Sequence, residues 1–182
     1  FHADFATISA QDFPELESKD ETNSLSMSSS VLQRLLNKTA FAMASQDVRY
    51  YLNGLLIEYK EGKVNAVATD GHRLALATCL LEKGSQVEEE RQILPRKAVL
   101  ELAKILRQEN EDIAITFGDS SLSIKDKNLD FSTKLIDGKF PDYEKVLPSG
   151  DPSSFEVPKE SLQSALSRAS VLSNEKYRGV RF

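Results

Sequence analysis

One plan is written three times along this chain: a short alternating run, a polar or proline residue, then apolar residues at helical spacing. It appears in Ser24–Ser45 (SLSMSSSVLQRLLNKTAFAMAS), in Arg91–Glu109 (RQILPRKAVLELAKILRQE) and in Ser154–Ser173 (SFEVPKESLQSALSRASVLS). In the first, Leu32, Leu35, Leu36, Thr39 and Met43 follow i, i+3, i+4, i+7, i+11. Val99, Leu102, Ala103 and Leu106 do the same in the second, and Leu162, Ala165, Leu166 and Ala169 in the third. Such spacing predicts amphipathic helices. Pro95 and Pro158 fall where a first-turn proline is tolerated, because that N–H has no helical partner. The expected starts, Ser28, Pro95 and Pro158, lie 67 and 63 residues apart. Phe13-Pro14-Glu15-Leu16 also returns as Phe140-Pro141-Asp142-Tyr143 after 127 residues. A long period with a half-period inside it marks a repeated architecture.

Strand-like runs follow each of the first two helices. Gly54–Tyr59 leads through Glu61-Gly62-Lys63 into Val64–Ala68, which reads as a hairpin, and Leu74–Leu81 is a further strand. In the second half, Ile113–Phe117 turns at Gly118-Asp119-Ser120 into Leu122–Ile124, and Leu129–Leu135 follows. Each half is therefore one strand, one helix and three strands, and two halves make a pseudo-twofold α+β domain. The expected organisation is residues 1–20 as the end of one domain, 21–148 as a whole domain, and 149–182 as the start of another. Polar linkers, Glu17–Asn23 and Ser149–Ser153, separate them.

Composition sets the limits. Forty per cent hydrophobic and 28% charged residues are ordinary for a globular chain. No apolar run approaches the roughly 20 residues that span a membrane, and no signal-peptide pattern appears. A single cysteine, Cys79, excludes an internal disulfide framework and fits a reducing, cytoplasmic compartment. The formal net charge of -5 argues weakly against nucleic acid, whose binders usually carry a basic footprint. The distribution of charge decides more than its sum. The first helix carries Arg34 and Lys38, the second Arg96, Lys97, Lys104 and Arg107, and the third Lys159 and Arg168. A solvated helix face explains any one of these. A lining of helices that presents cations to a phosphate backbone explains their recurrence.

The stretch VATDGHRLALA, Val67–Ala77, sets an Asp, a Gly, a His and an Arg in a row between apolar runs. Three readings compete. Asp-Gly is a strong turn signal, since Gly accepts positive φ and Asp tolerates it. Asp70 and His72 could serve as metal ligands, or as a base with its orienter. However, a metal site needs three or four ligands, the chain has only two histidines, and no CxxC, HExxH, GxSxG or P-loop pattern occurs. Thr69 has no partner base legible in sequence. The third reading is a recognition rim. VRYYLNG (Val48–Gly54) and FPDYEKVLP (Phe140–Pro148) mix aromatics, aliphatics and cations as interfaces do. For Tyr50, Tyr51, Phe140 and Tyr143, packing within the domain is the plainer expectation.

QDVRYYLNG, VATDGHRLA, LPRKAVLEL, FPDYEKVLP and SNEKYRGVR, taken together and in this order, resemble the bacterial DNA polymerase III beta subunit, the sliding-clamp family. The resemblance covers essentially the whole chain. It implies a DNA-clamp fold with helices lining a ring and antiparallel sheets outside, three similar domains per chain, and a homodimeric ring. The implied role is non-enzymatic and needs no cofactor or metal. The ring encircles duplex DNA without reading its sequence and tethers the replicative polymerase in the cytoplasm, at the nucleoid. The catalytic subunit, clamp-loader subunits, other polymerases, mismatch-repair proteins and ligase would dock by short linear motifs in one hydrophobic cleft. By the family's motifs, Thr69, Gly71, His72, Arg73 and Leu74 would form one wall of that cleft. Pro141, Lys145 and Val146 would form the opposite side, and Leu52 with Arg49 the adjoining subsite. Lys145 stands where many members have Arg, keeping the charge without the planar fork. Part of the family's pocket comes from the end of a third domain, so the cleft on these residues alone is expected to be incomplete. Gln46, Tyr50 and Tyr51 match a loop the family places near DNA.

Overall fold

The computed structural model describes residues 2–12, 23–81, 89–106, 111–148, 150, 154–172 and 180. The chain divides into two compact units, residues 1–141 and 142–182.

The first unit contains the two predicted halves. One runs β1 (Ser24–Ser28), α1 (Ser29–Thr39), β2 (Gly54–Lys60), β3 (Lys63–Thr69) and β4 (Leu74–Leu80). The other runs β5 (Glu90–Pro95), α2 (Arg96–Ile105), β6 (Asp112–Phe117), β7 (Ser121–Lys125) and β8 (Asp130–Lys134). The halves exchange their first strands: the two antiparallel sheets have the orders β4-β3-β2-β5 and β1-β6-β7-β8. β5 thus pairs with β2 of the first half (Leu56↔Ile93), and β1 with β6 of the second (Leu25↔Ile115).

Helix capping repeats the exchange. The first four N–H groups of a helix lack helical acceptors. The Ser29 N–H that opens α1 donates to Glu111 O at 2.9 Å, just ahead of β6, and the Arg96 N–H that opens α2 donates to Asn53 O at 3.0 Å, just ahead of β2. Neither Ser28 nor Pro95 supplies a side-chain cap, so each helix start is completed by the other half's meander. At the far end of α2, the Gln33 side-chain amide donates from α1 to Ala103 O (3.0 Å) and Leu106 O (2.6 Å). These bonds dock the two helices side by side.

Alternation fixes the core. In β1, β6 and β7, every second residue is buried: Leu25 and Met27, Ile113, Ile115 and Phe117, Leu122 and Ile124. β2, central in its sheet, is covered on both faces along nearly its whole length. Leu32, Leu35 and Leu36 of α1 and Val99 and Leu102 of α2 close the same cluster, and burying each leucine contributes about 1.5–3 kcal/mol. β4 inverts the usual sizes. Its inward residues are Ala75 and Ala77, small enough for α1 to lie close, while Leu76 and Leu80 face outward. Glu58 is 4% exposed on β2. Its carboxylate meets Arg91 Nε at 3.2 Å and Asn65 Nδ2 at 3.0 Å, and Asn65 Oδ1 accepts from Thr78 at 2.8 Å. One polar ladder therefore crosses β5, β2, β3 and β4.

Two expectations shift by a few residues. α1 stops at Thr39, whose hydroxyl donates to Leu35 O at 2.7 Å. A 3-10 turn follows (Ala40–Ala42), and Met43 is extended rather than helical. Pro95 and Pro158 stand just before their helices, not in the first turn, with ψ of 144° and 132°. In the second unit, a 3-10 turn (Tyr143–Val146) precedes α3 (Lys159–Val171), and α3 buries none of its residues.

Candidate functional site

The turn between β3 and β4 is built from its own side chains. Thr69 and Leu74 face each other across the ladder, leaving Asp70-Gly71-His72-Arg73 to reverse the chain. Asp70 Oδ1 accepts the backbone N–H groups of His72 (2.9 Å) and Arg73 (3.0 Å), and Oδ2 accepts Arg73 Nε at 3.1 Å. Burial pushes the Asp70 carboxyl up, but those N–H groups and the Arg73 guanidinium outweigh it and hold it below its ordinary value. Thr69 Oγ1 donates to Arg73 O (2.7 Å) and accepts from the Gly71 N–H (3.1 Å). Gly71 has a φ of 86°, in the left-handed region that glycine enters without a Cβ penalty. The chain reverses here as the Asp-Gly signal predicts. Thr69 and Asp70 spend their polar atoms on the turn, while Gly71, His72 and Arg73 remain exposed and Leu74 half-buried.

Arg49 reaches this turn from another loop. Its guanidinium donates to Asp70 O at 3.2 Å and lies over Gly71, where a Cβ would come within 2.9 Å of Nη1. Asp47 grips the same guanidinium with both carboxylate oxygens, accepting Nε at 3.0 Å and Nη2 at 2.8 Å. Those bonds, and the Arg49 backbone N–H, lower the Asp47 carboxyl to about 2. Asn53 ties the loop shut: its Oδ1 accepts the Asp47 N–H and its Nδ2 donates to Asp47 O, both at 2.9 Å. Leu52, 2% exposed, anchors the loop in the interior. On the other flank, Arg73 donates to Phe41 O at 2.8 Å, and its guanidinium stands 5.6 Å from the centre of the exposed Phe41 ring.

The expected residues fall into groups. Arg49 meets the turn at Asp70 and Gly71, where Gly71, His72 and Arg73 are exposed and Leu74 is half-buried, while Leu52 and Thr69 are buried, at 2% and 9% exposure. Pro141 is exposed at the end of the first unit. Lys145 and Val146 are exposed in the second unit, where Asp142 at 2.8 Å raises the Lys145 ammonium above its ordinary value through its hydrogen bond. Tyr50 and Tyr51 meet edge to face with ring centres 5.8 Å apart, Tyr50 57% exposed and Tyr51 half-buried. The chain passes beneath them at Gly138, where a Cβ would lie 3.2 Å from each. Gln46, at a φ of 58°, begins the same loop. Arg34 and Lys38 on α1, and Lys97 and Lys104 on α2, are exposed, with Lys104 paired to Glu101 at 2.9 Å. Arg96 is half-buried and donates to Met43 O at 3.2 Å. Arg107 lies outside the described residues. Phe140 and Tyr143 are both 4% exposed, as packing residues are. A cavity of about 500 Å³ lies elsewhere, between β5, the β6–β7 turn and the segment after β8, and no expected cleft residue lines it.

Sequence reasoning passed over Asp47, Asn53 and Phe41. The first two carried a legible signal: Asp two residues before Arg, and Asn at a turn, both favour local side-chain to backbone bonds.

The family model for the DNA polymerase III beta subunit, central domain, matches residues 26–142. The beta sliding clamp of Pseudomonas aeruginosa is 44% identical over 176 residues, covering 97% of this chain and 48% of that protein. The solved structure of the DNA polymerase III subunit beta from Pseudomonas aeruginosa superposes with a TM-score of 0.85 at 42% identity, over 94% of this chain and 47% of that one. The sliding clamp from the same organism bound to griselimycin gives 0.83 at 43% identity, over 94% and 46%. This chain thus spans about half the length of the relatives it matches. Their fold is the α+β clamp architecture seen here, and the chain belongs to the DNA polymerase III beta subunit family.

Proposed function

We propose that this chain is the central part of a DNA polymerase processivity factor that acts without catalysis. Residues 21–148 form its middle domain, 1–20 close the domain before it, and 149–182 open the domain after it. Two full-length copies would close a ring around duplex DNA. Arg34, Lys38, Lys97 and Lys104 would face the phosphates, with Gln46, Tyr50 and Tyr51 at the loop beside them. Sequence-independent phosphate contacts suit sliding, because they hold no register. Topological linkage then keeps a tethered polymerase at high effective concentration. The acidic net charge is compatible with this, since the cations recur on two adjoining helices.

Arg49, Leu52, Thr69, Gly71, His72, Arg73 and Leu74 would form one wall of a cleft for short peptide motifs, with Pro141, Lys145 and Val146 opposite. Its occupants would be the polymerase III catalytic subunit, clamp-loader subunits, other polymerases, mismatch-repair proteins and ligase, in the cytoplasm. Family membership carries the reading, and the meeting of Arg49 with the turn at Gly71 supports the cleft. The test is fluorescence anisotropy of a labelled Gln-x-x-Leu-Phe-type peptide with the full-length protein. Leu74→Asp should weaken binding by about 2 kcal/mol or more, as losing a central apolar contact does. Unchanged affinity would refute the cleft assignment. Neutralising Lys38, Lys97 and Lys104 together should shorten the polymerase's runs; undiminished processivity would leave a peptide-binding scaffold with no role on DNA.

A further inference from the structure

We infer that Asp47 is a positioning residue for the peptide cleft: it holds the Arg49 guanidinium against the turn at Asp70-Gly71 and so sets the shape of the subsite beside Leu52. The inference rests on the cleft reading and goes beyond it, because Asp47 itself belongs to the loop and not to the wall.

Arg49 is a long side chain, 46% exposed, with several rotamers open to it. A guanidinium that bonded only to Asp70 O, at 3.2 Å, would not be fixed by so long and neutral a contact. Two parallel bonds to one carboxylate are different, since they fix both direction and plane. Asp47 makes them at 3.0 and 2.8 Å. Asp47 is itself fixed, by Asn53 on both sides of its own peptide unit and by accepting the Arg49 N–H at 2.8 Å. The order of support runs from Asn53 to Asp47, from Asp47 to Arg49, and from Arg49 to the face of Gly71. A binding contact held by such a supporting shell keeps its geometry; without it the contact is present but loose.

Tyr50 and Tyr51 sit on the 3-10 turn that Asn53 closes, its N–H donating to Tyr50 O at 3.0 Å. The aromatic loop and the cleft wall therefore share one clasp.

Asp47→Asn tests this cleanly. The Asn carbonyl oxygen can still accept the Arg49 N–H, so the loop keeps its turn and loses only the charged grip. In the full-length protein, with the same labelled Gln-x-x-Leu-Phe-type peptide, Asp47→Asn should weaken binding by about three- to tenfold. Arg49→Ala should weaken it at least as much, and the double variant no further than Arg49→Ala alone, because Asp47 acts only through Arg49. The Arg49 Nε–H cross-peak in a ¹⁵N spectrum should be sharp in the parent and shifted or broadened in Asp47→Asn, which a general loss of stability would not do selectively. Asp47→Glu, which keeps the charge, should recover part of the affinity. Additive losses in the double variant, or peptide binding indifferent to Asp47→Asn, would overturn the inference and leave the cleft reading standing. A parent protein that binds no peptide would overturn both.

Discussion

Gly71→Ala perturbs the clasp from the opposite side, and its two effects can be separated. The first is conformational. At a φ of 86° an L-residue suffers the clash of Cβ with its own backbone that glycine avoids, worth about 1–2 kcal/mol. The second is steric. The new methyl would lie 2.9 Å from Arg49 Nη1 and 3.1 Å from Nη2. Both atoms are the far end of a flexible side chain, so the chain yields by moving the guanidinium, at little cost to folding. The expected loss of stability is therefore about 1–2 kcal/mol, nearly all from φ. For a chain of this size, that lowers the thermal midpoint by about 2–8 °C. Peptide affinity should fall further than stability predicts, because Arg49 no longer lies on the turn.

Repeating the substitution in an Arg49→Ala background isolates the terms. The thermal shift should persist, since φ is unchanged, while the extra loss of peptide affinity should vanish. Calorimetry and anisotropy on the four proteins complete the cycle. A thermal midpoint within 1 °C of the parent would refute the conformational term. An affinity loss of equal size with and without Arg49 would refute the steric one.

Three further outcomes follow from the same geometry. Glu58→Ala removes the buried carboxylate that accepts from Asn65 Nδ2, while Arg91, half exposed, turns to water; urea unfolding should show a loss of about 1–3 kcal/mol, and a change below 0.5 would refute a structural role for the ladder. Leu36→Ala, at a side chain with 0% exposure between helix and sheets, should cost about 2–5 kcal/mol, read by the same assay; a much smaller loss would mean that α1 repacks over the gap. Asp47, at about 2, and Asp70 are both held below the ordinary carboxylate value of 3.8, so each contributes stability that is present above about pH 4 and is lost as pH falls through its folded-state value, near 2 for Asp47. Thermal midpoints from pH 5 to 2 should fall less steeply for Asp47→Asn than for the parent, and parallel curves would refute the assignment.

The halves were legible because each of their signals is local. Leucines at helical spacing, the Glu61-Gly62 turn between alternating runs and the Asp-Gly turn each declare themselves within a few residues. The exchange of β1 and β5 was not legible, because a strand's own sequence says which face is buried and not which neighbour it will find. Leu25 would alternate just as well beside β2. What decides is the pair of helix starts: the Ser29 N–H finds Glu111 O and the Arg96 N–H finds Asn53 O, and such partners are 82 and 43 residues away in sequence. The early end of α1 is a subtler case. Thr39 and Met43 fit the helical period, but a hydroxyl that bonds back to Leu35 O competes with the continuing turn, and Met43 lies extended where Ala44 can donate to Leu52 O.

Arg96 shows why the site was harder to read than the fold. In sequence it is one more cation on a basic helix, beside Lys97. In the structure its two ends hold two parts of one loop: its backbone N–H bonds Asn53 O, and its guanidinium donates to Met43 O. Met43 and Asn53 bracket the segment that carries Gln46, Asp47, Arg49, Tyr50 and Tyr51. Lys97, one residue on, is exposed. A residue half-buried and committed to a carbonyl is a poor phosphate contact, since reaching outward would orphan that acceptor at about 1–3 kcal/mol. Neutralising Arg96 and neutralising Lys97 should therefore differ in kind. Lys97→Ala should reduce the salt dependence of DNA binding and leave folding alone. Arg96→Ala keeps the backbone N–H on Asn53 O but releases Met43 O, so it should loosen the loop from its Met43 end, lower thermal stability and weaken peptide binding at a site it does not touch. Equal effects of the two on DNA binding, with peptide affinity untouched in both, would return Arg96 to the basic face where its sequence first placed it.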